Sequence, residues 1–125
     1  MYNMKYVVIE KDHEVMNSCR LSAICVGYEA HAFNWYGFDL SQQCLFKWNK
    51  DNKPDVVQLD TLDGLCFEVI DAMQKDNPTA NYFIFATDID QKIRAEAVRR
   101  GITFISKMNY KEYLDHLKGL LKPSQ

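Results

Sequence analysis

The chain has 125 residues, a length that ordinarily forms one domain with a buried core, and we expect residues 1–125 to be a single domain. It carries 15 basic and 17 acidic residues, for a formal net charge of -2. The basic residues are scattered, which argues against a nucleic-acid interface, because phosphate contacts need a clustered basic patch. There is no long apolar run and no signal-peptide pattern, so we expect a cytoplasmic protein with no membrane partner.

Five runs rich in β-forming residues alternate with helical patterns. The runs are residues 6–9, 28–33, 56–59, 82–86 and 102–105. The first and fourth runs are continuously apolar, as expected of strands that are covered on both faces. The second run alternates between apolar and polar residues, which suits a strand at the edge of a sheet.

Helical spacing of apolar residues fills the intervals between these runs. It predicts a first helix that stops at Gly27 and a third that stops before Pro78. Asp88, three residues before Gln91, predicts the capping box of a fourth helix, and residues 109–112 predict another before a fifth. Aromatic residues crowd positions 34–48, and we expect them to be core residues under a helix near 39–49.

A strand–helix unit repeated five times implies right-handed crossovers and a parallel sheet. The order 2-1-3-4-5 suits five strands, so the predicted fold is a doubly wound, flavodoxin-like (βα)5 domain of the α/β class. In such sheets the functional site lies at the carboxyl ends of the strands, near the switch between strands 1 and 3.

Charged and polar residues gather at these predicted strand ends. In chain order they are Glu10, Lys11, Asp12, Asp60, Thr87 and Lys107. This set suits aspartyl-phosphate chemistry, in which a carboxylate is the nucleophile and a cation held by oxygen ligands neutralises the phosphoryl oxygens. A lysine and a hydroxyl then bind the transferred group.

The chain resembles the receiver domains of response regulators in two-component signalling, over its whole length. The resemblance rests on the stretches YVVIEKD, KPDVVQLDTLDG, IFATD and GITFISKMN. It implies that Asp60 accepts phosphate from a sensor histidine kinase or a phosphotransfer protein, and that Thr87 and Lys107 bind the phosphoryl group. It also implies that Thr87 and Phe104, three residues before Lys107, are switch residues.

The same resemblance implies a magnesium site made by Glu10, Asp60 and the backbone carbonyl of Leu62. Lys11 departs from the family pattern, because it occupies the position of the acid that binds the metal directly. We therefore expect weak Mg²⁺ binding. Lys11 could instead place its ammonium where the cation normally sits and pair with Asp60 or Glu10. Asp12, which follows, fits better as the N-cap of the first helix.

Two further departures lie in the loops around this site. The loop after Asp60 lacks the Met-Pro pair that is common in the family and is shorter, and Met108 replaces the proline that usually follows the lysine. The connection between strands 2 and 3 is longer than usual and is a candidate partner surface. Without the proline, the peptide bond after Lys107 lacks the constraint that is usual in the family.

Two functional hypotheses follow from these observations. In the first, Asp60 is phosphorylated and switches the face made by helix 4, strand 5 and helix 5, which contacts an output domain, a partner protein or a second copy of the chain. In the second, the chain is a pseudo-receiver, an interaction module that works without phosphorylation. Neither is an enzyme, because turnover would be limited to slow self-dephosphorylation.

Other classes fit the sequence poorly. Haloacid-dehalogenase phosphatases carry a second aspartate two residues after the nucleophile, whereas here Asp63 lies three residues after Asp60. Flavodoxins need a loop rich in hydroxyls and glycine after the first strand, which is absent. The cysteines show no C-x-x-C pair and the histidines no ligand spacing, so we expect buried, reduced thiols and isolated imidazoles.

Overall fold

The computed structural model describes residues 3–35, 40–87 and 90–121, except for the side chains of residues 40–42. Its strands are β1 (Lys5–Glu10), β2 (Glu29–Asn34), β3 (Val56–Leu59), β4 (Asn81–Ala86) and β5 (Thr103–Ser106). Its α-helices are α1 (His13–Val26), α2 (Leu40–Asn52), α3 (Cys66–Asp76), α4 (Gln91–Arg100) and α5 (Tyr110–Leu120). A short 3₁₀ turn, Leu62–Gly64, lies between β3 and α3.

The five strands form one parallel sheet in the order β2-β1-β3-β4-β5. This order confirms the predicted doubly wound fold and places β2 at an edge, as its alternating sequence indicated. It also puts β1 beside β3 in the middle of the sheet. Because all strands run the same way, their carboxyl ends meet at one edge.

The core consists of two clusters, one on each face of the sheet. Alternate residues of β1 show this division, since Val7 and Ile9 pack with α2, α3 and α4, whereas Tyr6 and Val8 pack with α1 and α5. Side chains of successive strand residues point to opposite faces, so a continuously apolar strand supplies both clusters. In the aromatic segment Trp35 is buried, as predicted.

The helix starts were predicted correctly at two places and incorrectly at one. Asp12 is the N-cap of α1, and Asn109 is the N-cap of α5 and accepts a hydrogen bond from the Glu112 N–H. The predicted Asp88 cap is wrong, because Asp90 caps α4 and accepts from the second and third helical N–H groups. An N-cap side chain reaches only these groups, and Asp88 itself lies outside the described residues.

The cysteines are all free thiols, but only Cys19 and Cys66 are buried. Cys25 and Cys44 are exposed on α1 and α2, so the prediction that the thiols are buried is wrong for these two. Both lie on helix faces that the sheet does not cover. Burial raises the pKa of the Cys66 thiol to about 11.

Among the described helices, none is long and apolar enough to cross a bilayer.

One polar side chain lies inside the core on the α1–α5 side. Gln58, in the middle of β3, is 1% exposed. Its Oε1 accepts hydrogen bonds from the hydroxyls of Tyr6 and, at 2.7 Å, of Tyr113. The two hydroxyls also lie 3.2 Å apart. This buried network ties β1, β3 and α5 together.

Candidate functional site

Three of the predicted site residues meet at the carboxyl edge of the sheet. Lys107 follows β5, and its Nζ lies 2.6 Å from Glu10 Oε1 and 2.9 Å from Asp60 Oδ1. Glu10 ends β1 and Asp60 follows β3, and these two strands are neighbours. The topology therefore brings two carboxylates together, and the single positive charge of Lys107 lies against both.

Glu10 is turned inward and its side chain is only 2% exposed. Its Oε2 accepts hydrogen bonds from the backbone N–H groups of Lys11 at 2.7 Å and Asp12 at 3.1 Å. Burial raises the pKa of Glu10, and the nearby Asp60 charge adds to this effect, while the contact with Lys107 opposes it. Both carboxylate oxygens are thus already engaged within the chain.

Lys107 is held in its charged form by these two carboxylates. Burial by itself lowers the pKa of an ammonium group, but the contacts with Glu10 and Asp60 outweigh it and raise the pKa of Lys107. The side chain is 18% exposed, so the ion pairs are only partly screened by solvent. Lys107 is therefore the internal cation of the site.

Asp60 is the more accessible of the two carboxylates that contact Lys107. Its side chain is 14% exposed, whereas that of Glu10 is 2% exposed. Its Oδ2 accepts a hydrogen bond of 3.1 Å from the Leu62 N–H. Its own N–H donates to the carbonyl of Ile9 on β1 at 3.0 Å, which anchors it to the neighbouring strand. These two contacts hold Asp60 against β1 and against the start of the following turn.

The backbone after Asp60 turns through three successive left-handed residues. Leu62, Asp63 and Gly64 have φ values of 53°, 57° and 89°. Leucine rarely adopts this region, and here its side chain is fully buried, which offsets the cost. The carbonyl of Leu62, predicted as a metal ligand, accepts a hydrogen bond of 3.1 Å from the Leu65 N–H.

Lys11 does not pair with Asp60 or Glu10, contrary to the sequence-based hypothesis. Its Nζ lies 2.6 Å from Asp63 Oδ2, and this contact is the main reason that the pKa of Lys11 is raised. The two side chains are 44% and 70% exposed, so the pair lies at the surface. The difference arises because Lys107 occupies the inner carboxylates and the left-handed turn brings Asp63 to Lys11.

Thr87 and Phe104 lie on the β4–β5 side of the site. Thr87 is exposed directly after β4, and the adjacent Ala86 carbonyl accepts a hydrogen bond of 2.8 Å from the Lys107 N–H. Phe104 is half-buried in β5, and the guanidinium carbon of Arg94 lies 5.0 Å from its ring centroid. Met108 is exposed. These positions agree with the predicted strand ends.

The residues predicted as metal ligands contact other groups of the chain in this arrangement. Within residues 3–35, 40–87 and 90–121, no group of three His, Cys, Asp or Glu side chains could hold a metal ion. The oxygens of Glu10 are engaged by Lys107 and two backbone N–H groups, and Lys11 pairs with Asp63. The residue types would suit a hard cation, but their present contacts do not.

Sequence reasoning missed two residues that shape this region. The Asp63-Gly64 dipeptide is a turn signal, but nothing in the sequence indicates that Asp63 pairs with Lys11. Gln58 lies within the run of β-forming residues 56–59, and a single polar residue in such a run gives no sign of its partners. Both became visible only through contacts between distant segments of the chain.

Solved structures of other proteins share this architecture. No protein-family model matches the sequence, and no curated protein matches it. Among solved structures, a response regulator from Thermotoga maritima is 14% identical, with a TM-score of 0.72, over 94% of this chain and 99% of that one. A response regulator receiver domain protein from Bacillus halodurans is 12% identical, with a TM-score of 0.73, over 98% and 100%.

A third solved structure was determined with ligands. It is a response regulator from Burkholderia pseudomallei with a phosphorylated aspartic acid, a calcium ion and citrate. It is 15% identical, with a TM-score of 0.67, over 84% of this chain and 60% of that one. Identities this low establish the fold alone. The chain accordingly has the flavodoxin-like fold of response-regulator receiver domains.

Proposed function

We propose that the chain is a receiver-type signalling domain in a two-component phosphorelay and that Asp60 is its phosphoacceptor. The observation that carries this proposal is the contact of 2.9 Å between Asp60 Oδ1 and Lys107 Nζ at the carboxyl edge of the sheet. A partly exposed carboxylate beside a lysine is suited to receive a phosphoryl group, because the lysine offsets the added charge.

The proposed chemistry is one phosphoryl transfer. An Asp60 oxygen attacks the phosphorus of a phosphohistidine on a sensor kinase or a phosphotransfer protein, a P–O bond forms and the P–N bond breaks. Lys107 and the Thr87 hydroxyl then bind the phosphoryl oxygens. Water slowly hydrolyses the acyl phosphate to the Asp60 carboxylate and inorganic phosphate, so the domain acts as a switch without catalytic turnover of a substrate.

The proposed output is the surface made by α4, β5 and α5. Thr87 and Phe104 would respond to the phosphoryl group and change this surface. It carries exposed apolar side chains, among them Val98 on α4 and Met108 after β5. We propose that an output domain, a partner protein or a second copy of the chain binds there.

Phosphorylation is tested with acetyl phosphate and Mg²⁺, read as intact mass. We expect the wild type to gain the mass of one phosphoryl group and Asp60→Asn to gain none, because the amide is not a nucleophile under these conditions. A receiver domain known to be labelled serves as a positive control in parallel. No added mass on the wild type, with the control labelled, would reject the proposal.

A second candidate function is a pseudo-receiver, an interaction module that signals without phosphate. It is favoured by the contacts of Glu10, which is engaged internally, and by Lys11 in place of an acid. In this case Lys107 is the cation that offsets part of the charge of Glu10 and Asp60, and folding alone determines the surface of the module. Divalent cations, for which we propose only weak binding, would then have no part in signalling.

Lys11→Asp is expected to raise the affinity for Mg²⁺ by about tenfold or more, because it replaces a positive charge by an oxygen ligand. Isothermal titration calorimetry on both proteins measures the change. Lys75→Asp, which alters the net charge equally at an exposed position in the last turn of α3, is the matched control. Equal Mg²⁺ affinity of wild type and Lys11→Asp would contradict this interpretation of Lys11.

A further inference from the structure

Among the residues that the structure describes, three carboxylates and two ammonium groups form the ion pairs of this site. Lys107 lies against Glu10 and Asp60, whereas Lys11 lies against Asp63. Lys11 directly follows Glu10 in the chain, and the charges of Asp60 and Glu10 also act on its ammonium group. A lysine so close to the inner carboxylates would compete with Lys107 for them if it had no other partner.

Asp63 reaches Lys11 only because of the unusual turn. Asp63 lies between two other left-handed residues, Leu62 and Gly64. The buried Leu62 side chain and the hydrogen bond from its N–H to Asp60 Oδ2 fix the start of the turn. The Gly64 N–H, which donates to the Thr61 carbonyl at 3.0 Å, fixes its end. The turn thus holds a carboxylate at the rim, apart from the inner pair.

We propose that Asp63 is a positioning residue that keeps Lys11 at the rim of the site and away from Asp60. It allows a lysine to occupy this position without covering the phosphoacceptor. Loss of the Asp63 charge releases Lys11, which then pairs with Asp60 and hinders its reaction. The consequence for phosphorylation rests on the proposed function, whereas the position of Lys11 does not.

The position of Lys11 is tested by NMR on protein with ¹³C-labelled lysine, without metal or phosphate donor. In the wild type, Asp63→Asn should shift the side-chain Cε–Hε resonance of Lys11, and Asp60→Asn should leave it almost unchanged. In the Asp63→Asn background, Asp60→Asn should shift it clearly. Asparagine tolerates the left-handed region, so Asp63→Asn retains the turn.

Asp115→Asn is the matched control, because it removes the carboxylate of another exposed lysine–aspartate pair, Lys111 and Asp115, which are 2.8 Å apart. It should not move the Lys11 resonance. The proposal is overturned if Asp60→Asn gives the same Lys11 shift with and without Asp63. It is also overturned if Asp63→Asn leaves the Lys11 resonance in place.

The consequence for Asp60 is tested by the rate of labelling with acetyl phosphate. Asp63→Asn should label severalfold more slowly than the wild type, and Lys11→Met/Asp63→Asn should recover the rate of Lys11→Met. If Asp63→Asn lowered the labelling rate by the same factor in the Lys11→Met background, Asp63 would act without Lys11 and the proposal would be rejected. If the wild type is not labelled at all, the proposed function fails, while the NMR result still decides the role of Asp63.

Discussion

Lys107→Met is expected to lower the free energy of unfolding by about 2–4 kcal/mol at pH 7, because it leaves two carboxylates without their cation. Glu10 is 2% exposed and cannot regain solvent, and Asp60 lies beside it. Methionine has a similar length and fills similar space, so the decrease in unfolding free energy is due mainly to removal of the positive charge. Urea unfolding followed by circular dichroism measures the free energy.

The effect of Lys107→Met should shrink as the pH falls. Burial already raises the pKa of Glu10 above its ordinary value of 4.5, and removal of Lys107 raises it further. Between the two pKa values, Glu10 is protonated in the folded variant and ionised in the unfolded chain. The loss of unfolding free energy is therefore complete above the pKa of Glu10 in the folded variant, and it decreases as the pH falls towards 4.5. An equal difference in unfolding free energy between wild type and Lys107→Met at pH 7 and pH 5 would contradict this explanation.

The control for this experiment is Lys111→Met. Lys111 pairs with Asp115 on the surface of α5, and its side chain is 87% exposed. Solvent screens such a pair, so we expect a change below about 1 kcal/mol with little dependence on pH over the same range. The difference between the two variants isolates the contribution of the inner site.

Gln58→Leu is expected to destabilise the fold by about 2–3 kcal/mol, because the hydroxyls of Tyr6 and Tyr113 lose their shared acceptor inside the core. The hydroxyls lie 3.2 Å apart and can bond to each other, which limits the loss. Burial raises the pKa of both tyrosines, so neither hydroxyl ionises to relieve the defect. Chemical unfolding of the purified variant measures the change.

The cause of this loss is tested by removing all three partners together. The triple variant Gln58→Leu/Tyr6→Phe/Tyr113→Phe should be more stable than Gln58→Leu, because the two tyrosine hydroxyls that lost their acceptor are then absent. Gln74→Leu on the exposed side of α3 serves as the control and should change the stability by less than about 0.5 kcal/mol. A triple variant no more stable than Gln58→Leu would mean that packing, not hydrogen bonding, causes the loss.

The sequence predicted the helices and strands well because their signals are local. Apolar runs and three- or four-residue spacing gave the correct element types in the correct order, and the strand bounds agree closely. The error at the start of α4 has a local cause, since both Asp88 and Asp90 precede the helix and only geometry selects the cap. The exposed Cys25 and Cys44 show that residue type alone does not predict which face of a helix is covered.

The meeting of Glu10, Asp60 and Lys107 also followed from the sequence. Each residue stands at the carboxyl end of a predicted strand, and a parallel sheet of known order brings those ends to one edge. The sequence likewise placed Thr87 and Phe104 on the neighbouring strands. Strand direction and strand order are sufficient to predict that these residues lie close together.

Only the tertiary structure decided which charges pair. The sequence suggested that Lys11 could pair with Asp60 or Glu10, but Lys107 contacts both carboxylates while Lys11 contacts Asp63. Ion pairing depends on side-chain direction over a few ångströms, and here that direction is set by the left-handed backbone of a loop. By itself the sequence determined the fold and where the site lies, because both follow from periodicity and strand order, whereas the charge balance within the site depends on the folded loops.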